Sequence, residues 1–237
     1  MVNKTLIILA VPPLGAPLSA PVPIAMESAA DFAVLGGTAV DNTGETTVHG
    51  GDVGTSHGTG ITGFPPGRVM PPSVTRVGDE ATRAAHLDLT VAYNQALAMV
   101  PTHDLSGQDL GGLTLLPGVY AFSSSADIHG ILTLNGQNNP KAQFVFQIGT
   151  TLKTAKGSAV ICINDATMAN AQSGIFWQVG GSATLGTDST FEGNILALGD
   201  ITAETDASIR EGSVLACNGT VNLDSNKITK RDTRGRS

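Results

Sequence analysis

Several groups of residues in this 237-residue sequence have types and spacing that could do chemistry. Carboxylates stand four apart at Asp188/Glu192 and at Asp200/Glu204. Converging carboxylates are what glycoside hydrolysis requires, and acidic groups beside a base suit a calcium-dependent lyase. Both pairs fall between short apolar segments, however, and read as turn and surface residues. His49 and His57 flank Asp52, and Gly50-Gly51-Asp52 resembles one fragment of a calcium-binding β-roll repeat. That fragment does not recur, and two histidines across a Gly-rich turn lack ligand spacing. His86, His103 and His129 are scattered, and no nucleophile elbow or phosphate loop is present. Cys162 and Cys217 are too few for a disulfide framework; they are either two small buried thiols or one bridge between neighbouring strands. No catalytic residue, cofactor or metal is therefore expected, and the chain reads as a non-enzyme. What remains is hydroxyl chemistry, carried by 26 threonines.

The elements that hold these threonines repeat. A short apolar–polar–apolar segment recurs at Leu132-Thr133-Leu134, Thr151-Leu152, Ala183-Thr184-Leu185, Ile201-Thr202-Ala203 and Val221-Asn222-Leu223. Positions 133, 151, 184, 202 and 222 are separated by 18, 33, 18 and 20 residues. Alternation within each segment and a period of 18–20 between segments predict a parallel β-helix with three short strands per coil. The interval of 33 fits one coil with a loop inserted at residues 164–174. A second series is apolar at consecutive positions, as in Phe144-Val145-Phe146 and Ile175-Phe176-Trp177, so both faces of that sheet must be buried. Its cover is legible as one helix over about 79–100. Ala81, Ala85, Leu89, Ala92, Ala96 and Met99 recur at helical spacing, Asp79 and Glu80 suit the positive end of the dipole, and Pro101 stops the run. The segment 64–77 is expected to act as a connection or cap.

Composition agrees with a turning, weakly charged body: 29 Gly, 12 Pro and 14% charged residues. The net charge is −7, and 8 basic against 19 acidic residues precede Lys227, which excludes a phosphate-backbone partner. No apolar run is long enough to span a membrane. Residues 1–25 read as a secretory leader, with Lys4, a short apolar core over 5–11 and small residues after it. The body is expected over 26–229 as one domain, a monomer acting outside the cell, and 230–237 as a disordered basic tail.

Motifs in a fixed order then make the chain resemble the fungal and bacterial ice-binding (antifreeze) proteins. They include Ala30-Asp31-Phe32-Ala33-Val34-Leu35, Thr59-Gly60-Ile61-Thr62-Gly63-Phe64-Pro65-Pro66-Gly67 and Leu113-Thr114-Leu115-Leu116-Pro117-Gly118-Val119-Tyr120. The strongest are Phe144-Val145-Phe146-Gln147-Ile148-Gly149, Phe176-Trp177-Gln178-Val179-Gly180-Gly181-Ser182-Ala183-Thr184-Leu185 and Phe191-Glu192-Gly193-Asn194-Ile195-Leu196-Ala197-Leu198. The resemblance covers roughly residues 30–229. It implies a right-handed, three-faced β-helix of irregular coil order, a helix along one face, and adsorption to ice by a flat strand face. The Thr-Ala/Gly-x-Thr/Asn pattern that some bacterial members use is complete at Thr59–Thr62 and Thr202–Thr205, while Leu takes its second place at Thr151–Thr154 and Thr184–Thr187. The connection to the helix is shorter than members often carry.

Physics gives such a face a mechanism. Stacked strands lie about 4.7–4.9 Å apart and outward residues i and i+2 about 6.5–7 Å apart, so a threonine ladder is a flat lattice of hydroxyls and methyls that can order water. Threonine is stiff at χ1, and a rigid array of weak contacts acts together. The candidate contact residues are Thr151, Thr184, Thr202 and Asn222, with Thr154, Thr187 and Thr205 beside them, and Thr133, Thr59 and Thr62 in outer coils. Lys153 and Glu204 intrude on that face as strongly hydrated charges. The alternative is a non-catalytic adhesive or structural module whose solenoid face binds a surface glycan or a protein.

Overall fold

The computed structural model describes residues 24–56, 60–139, 141–164 and 174–230. Most of the expected leader, His57, Thr59, the interior of the 164–174 loop and the tail beyond Lys230 lie outside the described residues. Short strands joined by corners pair in parallel with strands of the neighbouring coil, giving sheets of nine, seven and eight strands. These are the three faces of a parallel β-helix, the architecture that the 18–20 residue period predicts.

The coils do not stack in chain order. In the nine-stranded sheet, Thr75–Val77, Asp52–Thr55 and Phe32–Gly36 are followed in space by Val214–Ala216, Asn194–Ala197, Gly174–Val179, Gln143–Ile148, Gly118–Phe122 and His103–Asp104. The last coil therefore docks on the first, with Val34 opposite Val214, Ala39 opposite Thr220 and Thr47 opposite Lys227. The expected cap is itself the terminal coil, since Arg68–Val69 and Thr75–Val77 each pair as edge strands. From there the chain must travel to the far end before winding back. The helix Glu80–Ala98 makes that journey. Its 19 residues span about 28 Å at 1.5 Å each, most of the roughly 38 Å covered by eight inter-strand steps.

The helix begins where sequence places it. The Asp79 carboxylate accepts from the Thr82 amide at 2.9 Å as an N-cap, and also receives Arg76, whose Nε donates to Asp52 at 2.7 Å. Ala85, Leu89, Ala92, Tyr93 and Ala96 are buried against Leu35, Val145, Phe176, Leu196 and Leu215 of the nine-stranded sheet. Two polar side chains lock the contact: Gln147 Nε2 donates to the Ala96 and Met99 carbonyls at 2.7 and 2.8 Å, and Gln178 Nε2 donates to the Tyr93 hydroxyl at 2.6 Å. The six strands from Asp52–Thr55 to Gln143–Ile148 in this sheet are thus buried on both sides.

Inside the coils a separate core runs the length of the solenoid. Tyr120, Phe146, Trp177 and Phe191 form a ladder with ring centroids 5.4, 3.8 and 4.9 Å apart. Such a filled interior fixes the spacing of the outer faces. One corner shows why glycine recurs. Gly193 has φ +100°, and a Cβ there would meet Ile175 at 2.6 Å, while a Cβ on Gly212 would meet the Gly193 carbonyl oxygen at 1.9 Å. The packed body reaches past both expected boundaries. Ile24 is buried against the helix-side core, the Ala25 amide donates to Gln95, and Lys230 is buried with its Nζ donating to Ser213 Oγ at 2.9 Å.

Candidate functional site

With one sheet covered by the helix, two faces remain bare. On the seven-stranded sheet, strand alternation turns every second side chain outward, and pairing aligns them across coils. The central outward row runs Asp127, Lys153, Thr184, Thr202, Asn222, Asp41, Thr62. Its middle is an uncharged block, Thr184–Thr202–Asn222. Beneath that block Ala183, Leu185, Ile201, Ala203, Val221 and Leu223 are buried, so the strands beneath it are rigidly backed. The Thr184 and Thr202 hydroxyls have no protein hydrogen bond among the described residues and face water.

Two further rows flank the block. On one side lie Thr151, Ser182, Asp200 and Thr220; the Thr220 and Thr38 hydroxyls bond each other at 2.9 Å, and the Thr220 amide donates to Asp200 at 2.8 Å. On the other side the chain enters a corner, where Asp188, Asp206 and Ser225 adopt φ near +58°, +60° and +54° and remain laddered to the next coil. Thr187 and Thr205 sit in this corner row. Thr187 donates to Glu204 Oε2 at 3.1 Å, and Thr205 donates to Asp224. Thr62, at the far margin, donates to Asp41 Oδ1 at 2.8 Å.

Several expected positions need correction. Thr133 belongs to a different sheet: Ile131–Asn135 pairs with Ala159–Ile163, which places Thr133 opposite Ile161 and Thr114. Thr154 is buried, and its hydroxyl accepts the Gly186 amide at 2.9 Å. A strand of period two cannot point both Thr151 and Thr154 outward. Thr151 is exposed but lies one row aside, and Lys153 takes the place beside Thr184. Thr59 lies outside the described residues. Thr184, Thr202, Asn222 and Thr62 fall in the expected row. Sequence reasoning missed Ser182, Thr220 and Thr38, and the acidic ends Asp127 and Asp41. The alternation Thr220-Val221-Asn222 carried the signal for Thr220.

The eight-stranded sheet also displays threonines, but in different company. Its outward rows set Arg68, Thr47, Lys227, Ser208, Thr190, Ala159 and Ile131 side by side, and His49, Thr229, Arg210, Glu192, Ile161 and Thr133 in the other. Pairing does not reach from Glu192 to Ile161, so the second row continues there by alternation alone. Ile131, Ile161 and Ile163 are exposed. Burial pushes the Glu192 carboxyl up to about 7, with Arg210 pulling it down and Glu211 pushing it further up. Cys162, on the eight-stranded sheet, and Cys217, just past the Val214–Ala216 strand of the nine-stranded one, are both free thiols, so the inter-strand bridge does not form. Burial raises them to about 12 and about 11, which leaves them unreactive as thiolates.

Of the four carboxylates that suggested hydrolysis, three are engaged elsewhere, and Glu192 has a buried Oε2 with no hydrogen-bond partner among the described residues. Asp188 faces Lys156 at 3.6 Å, and Asp200 and Glu204 accept hydrogen bonds from corner and strand groups. Among the described residues no group of three or more His, Cys, Asp or Glu side chains is placed to hold a metal ion, and no helix is long and apolar enough to cross a membrane.

The arrangement has relatives. The model of the ice-binding-like family matches residues 34–229. An ice-binding protein of Nostoc sp. (strain HG1) is 47% identical over 203 residues, covering 85% of this chain and 72% of that one. An ice-binding protein of Flammulina populicola is 29% identical over 83% and 84% of the two chains. The crystal structure of an ice-binding protein from an Antarctic biological consortium superposes with a TM-score of 0.82 at 40% identity, covering 93% of this chain and 96% of the other. By the family model over residues 34–229 and the 47% identity to the Nostoc protein, the chain belongs to the ice-binding-like family.

Proposed function

We propose that this protein adsorbs to ice through the bare seven-stranded face, centred on Thr184, Thr202 and Asn222, and so inhibits ice growth and recrystallisation. One observation carries the choice of face: three uncharged side chains stand in strict register on adjacent coils over a fully buried floor. Each threonine offers a hydroxyl that anchors a first-shell water and a methyl that excludes one. Repeated every ~4.8 Å along the row, these groups template an ordered layer that merges with a crystal surface. Ser182, Thr220, Thr187 and Thr205 widen the block to neighbouring rows. Each contact is weak, and rigid spacing makes them act as one.

On this reading the protein works outside the cell as a monomer, exported by its amino-terminal stretch, and no reaction is catalysed. Family membership supports the reading, since relatives of bacterial and fungal origin carry ice-binding names. The decisive measurement is thermal hysteresis of the purified chain with ice-crystal morphology and a recrystallisation assay. Faceted crystals and a gap between melting and freezing points are expected. Rounded, freely growing crystals at all protein concentrations would overturn the proposal.

A further inference from the structure

The carboxylates on the proposed ice face look like faults in it. Their geometry says otherwise. Glu204 folds across to the preceding coil, where its Oε2 accepts both the amide and the hydroxyl of Thr187 at 3.1 Å. One coil further, Asp224 accepts the Thr205 hydroxyl, and its other oxygen accepts Ser225 Oγ at 3.1 Å. The same motif thus occurs twice in succession, each time with a threonine of the corner row donating to a carboxylate of the next coil.

A hydroxyl has a single proton. Once that proton is committed to a carboxylate, Thr187 and Thr205 present only lone pairs to water, in fixed directions. Thr184 and Thr202 differ, because their hydroxyls have no protein partner and can donate or accept. Charge-assisted bonds are roughly twice as strong as neutral ones, so the corner row is held far more firmly than water alone would hold it. Fixing a group before it binds removes an ordering cost from the binding step. Both Asp224 oxygens and one Glu204 oxygen are meanwhile taken up by protein donors.

We propose that Glu204 and Asp224 are positioning residues of the ice face: they fix the hydroxyl protons of Thr187 and Thr205, so that the corner row offers ice-facing water a preset line of acceptors. This rests on the reading of that face as the ice-contacting one. It also reverses the expectation from sequence that Glu204 weakens adsorption.

The test compares thermal hysteresis at one protein concentration for the full chain and for Glu204→Ala, Glu204→Gln, Asp224→Ala and Asp224→Asn. Glu204→Ala is also made in a Thr187→Val background. Alanine at either position is expected to lower hysteresis by roughly twofold, as one row of a cooperative array loosens. Glutamine and asparagine keep an acceptor oxygen without the charge and should recover most of that loss. In the Thr187→Val background, Glu204→Ala should have a much smaller effect, because the hydroxyl bond is already gone and only the bond from the Thr187 amide is left to lose. Alanine and amide variants that all equal or exceed the parent would overturn the proposal and make the carboxylates intruders. An undiminished alanine effect without the Thr187 hydroxyl would overturn it too. A second readout holds even if the parent shows no hysteresis and the ice reading itself fails. NMR couplings should report one χ1 rotamer for Thr187 in the parent and in Glu204→Gln, and averaging in Glu204→Ala; averaging in all three refutes the fixing of the hydroxyl.

Discussion

The two bare faces of this solenoid are wound from the same coils, and both carry threonines. Thr47, Thr114, Thr133, Thr190 and Thr229 face outward on the eight-stranded sheet, and Thr184, Thr202, Thr220 and Thr62 on the seven-stranded one. Threonine content therefore distinguishes nothing, as expected of a residue that favours strands wherever they lie. Neighbours make the difference. On the eight-stranded sheet Thr47 lies between Arg68 and Lys227, Thr229 between His49 and Arg210, Thr190 between Ser208 and Ala159, and Thr133 between Thr114 and Ile161. On the seven-stranded sheet Thr184, Thr202 and Asn222 stand opposite one another across three coils, and charge is confined to the ends of the row and to groups turned into hydrogen bonds. On the seven-stranded face three uncharged polar side chains follow one another in register, against two at a time, Thr114 with Thr133 and Thr190 with Ser208, on the eight-stranded face.

The sharpest way to break this comparison is to place the same bulky substitution on each face. Thr202 and Thr133 occupy the same local pattern, an outward threonine between two buried apolar residues, and both are half-buried. Thr202→Tyr is expected to abolish most of the thermal hysteresis, because a ring projecting from the middle of the block lifts the whole lattice from the crystal. Thr133→Tyr should leave hysteresis at the parental level. Both should stay within about 0.5 kcal/mol of the parent in stability, as surface substitutions commonly do. Equal losses, or loss only from Thr133→Tyr, would move the ice contact to the other sheet.

That pair also marks where sequence reading stopped. The period of 18–20 residues, the doubly apolar sheet and the covering helix were legible, because burial imposes them on residue type. Asp79 and Pro101 even placed the helix ends closely around Glu80–Ala98. Which sheet a given apolar–Thr–apolar segment joins was not legible, since alternation is identical on every face. The 18 residues from Thr133 to Thr151 match a coil length, yet they run from the eight-stranded sheet of one coil to the seven-stranded sheet of the next. Register failed for a related reason. Thr-x-x-Thr has two outward threonines only where the second enters the corner, as at Thr187 and Thr205. At Thr154 the strand continues and turns that side chain into the core. Hydrogen bonds between coils, such as Thr187 to Glu204, depend on which coils adjoin and have no signature in a linear pattern.

A smaller effect sharpens the contrast from the other face. Glu192 lies on the eight-stranded sheet with its carboxyl pushed up to about 7 by burial, from an ordinary value of 4.5. Between those two values the folded chain holds a proton there that the unfolded chain has released, so stability falls as pH rises through that window and the contribution is lost above about 7. Glu192→Gln removes the titrating group. The variant should unfold at a higher temperature than the parent at pH 8 by about 2–4 °C, the equivalent of about 1 kcal/mol at this size once partial exposure is allowed for. The gap should close toward pH 4, while hysteresis stays unchanged throughout. A constant difference across the range, read by thermal unfolding at several pH values, would show that the carboxyl is not desolvated in the fold.

The smallest expected effect is a gain. Lys153 stands in the central row next to Thr184, with Asp127 on its other side. Its exposed ammonium is strongly hydrated and ends the neutral block at that coil. Lys153→Thr extends the row to four uncharged residues in register, from Lys153's position through Thr184 and Thr202 to Asn222. Leu152 beneath it is already buried, so the added threonine has the same rigid floor as its neighbours. One more coil in an array of this kind should raise hysteresis modestly, by less than the loss from Thr202→Tyr, because Asp127 still closes that end of the row. Folding should be unaffected, since no ion pair holds Lys153 among the described residues. The change separates two accounts of the face. If lattice length in register governs adsorption, the variant exceeds the parent at equal concentration. If hysteresis falls, the lysine itself contributes to the contact, and the neutral block is not what the crystal reads.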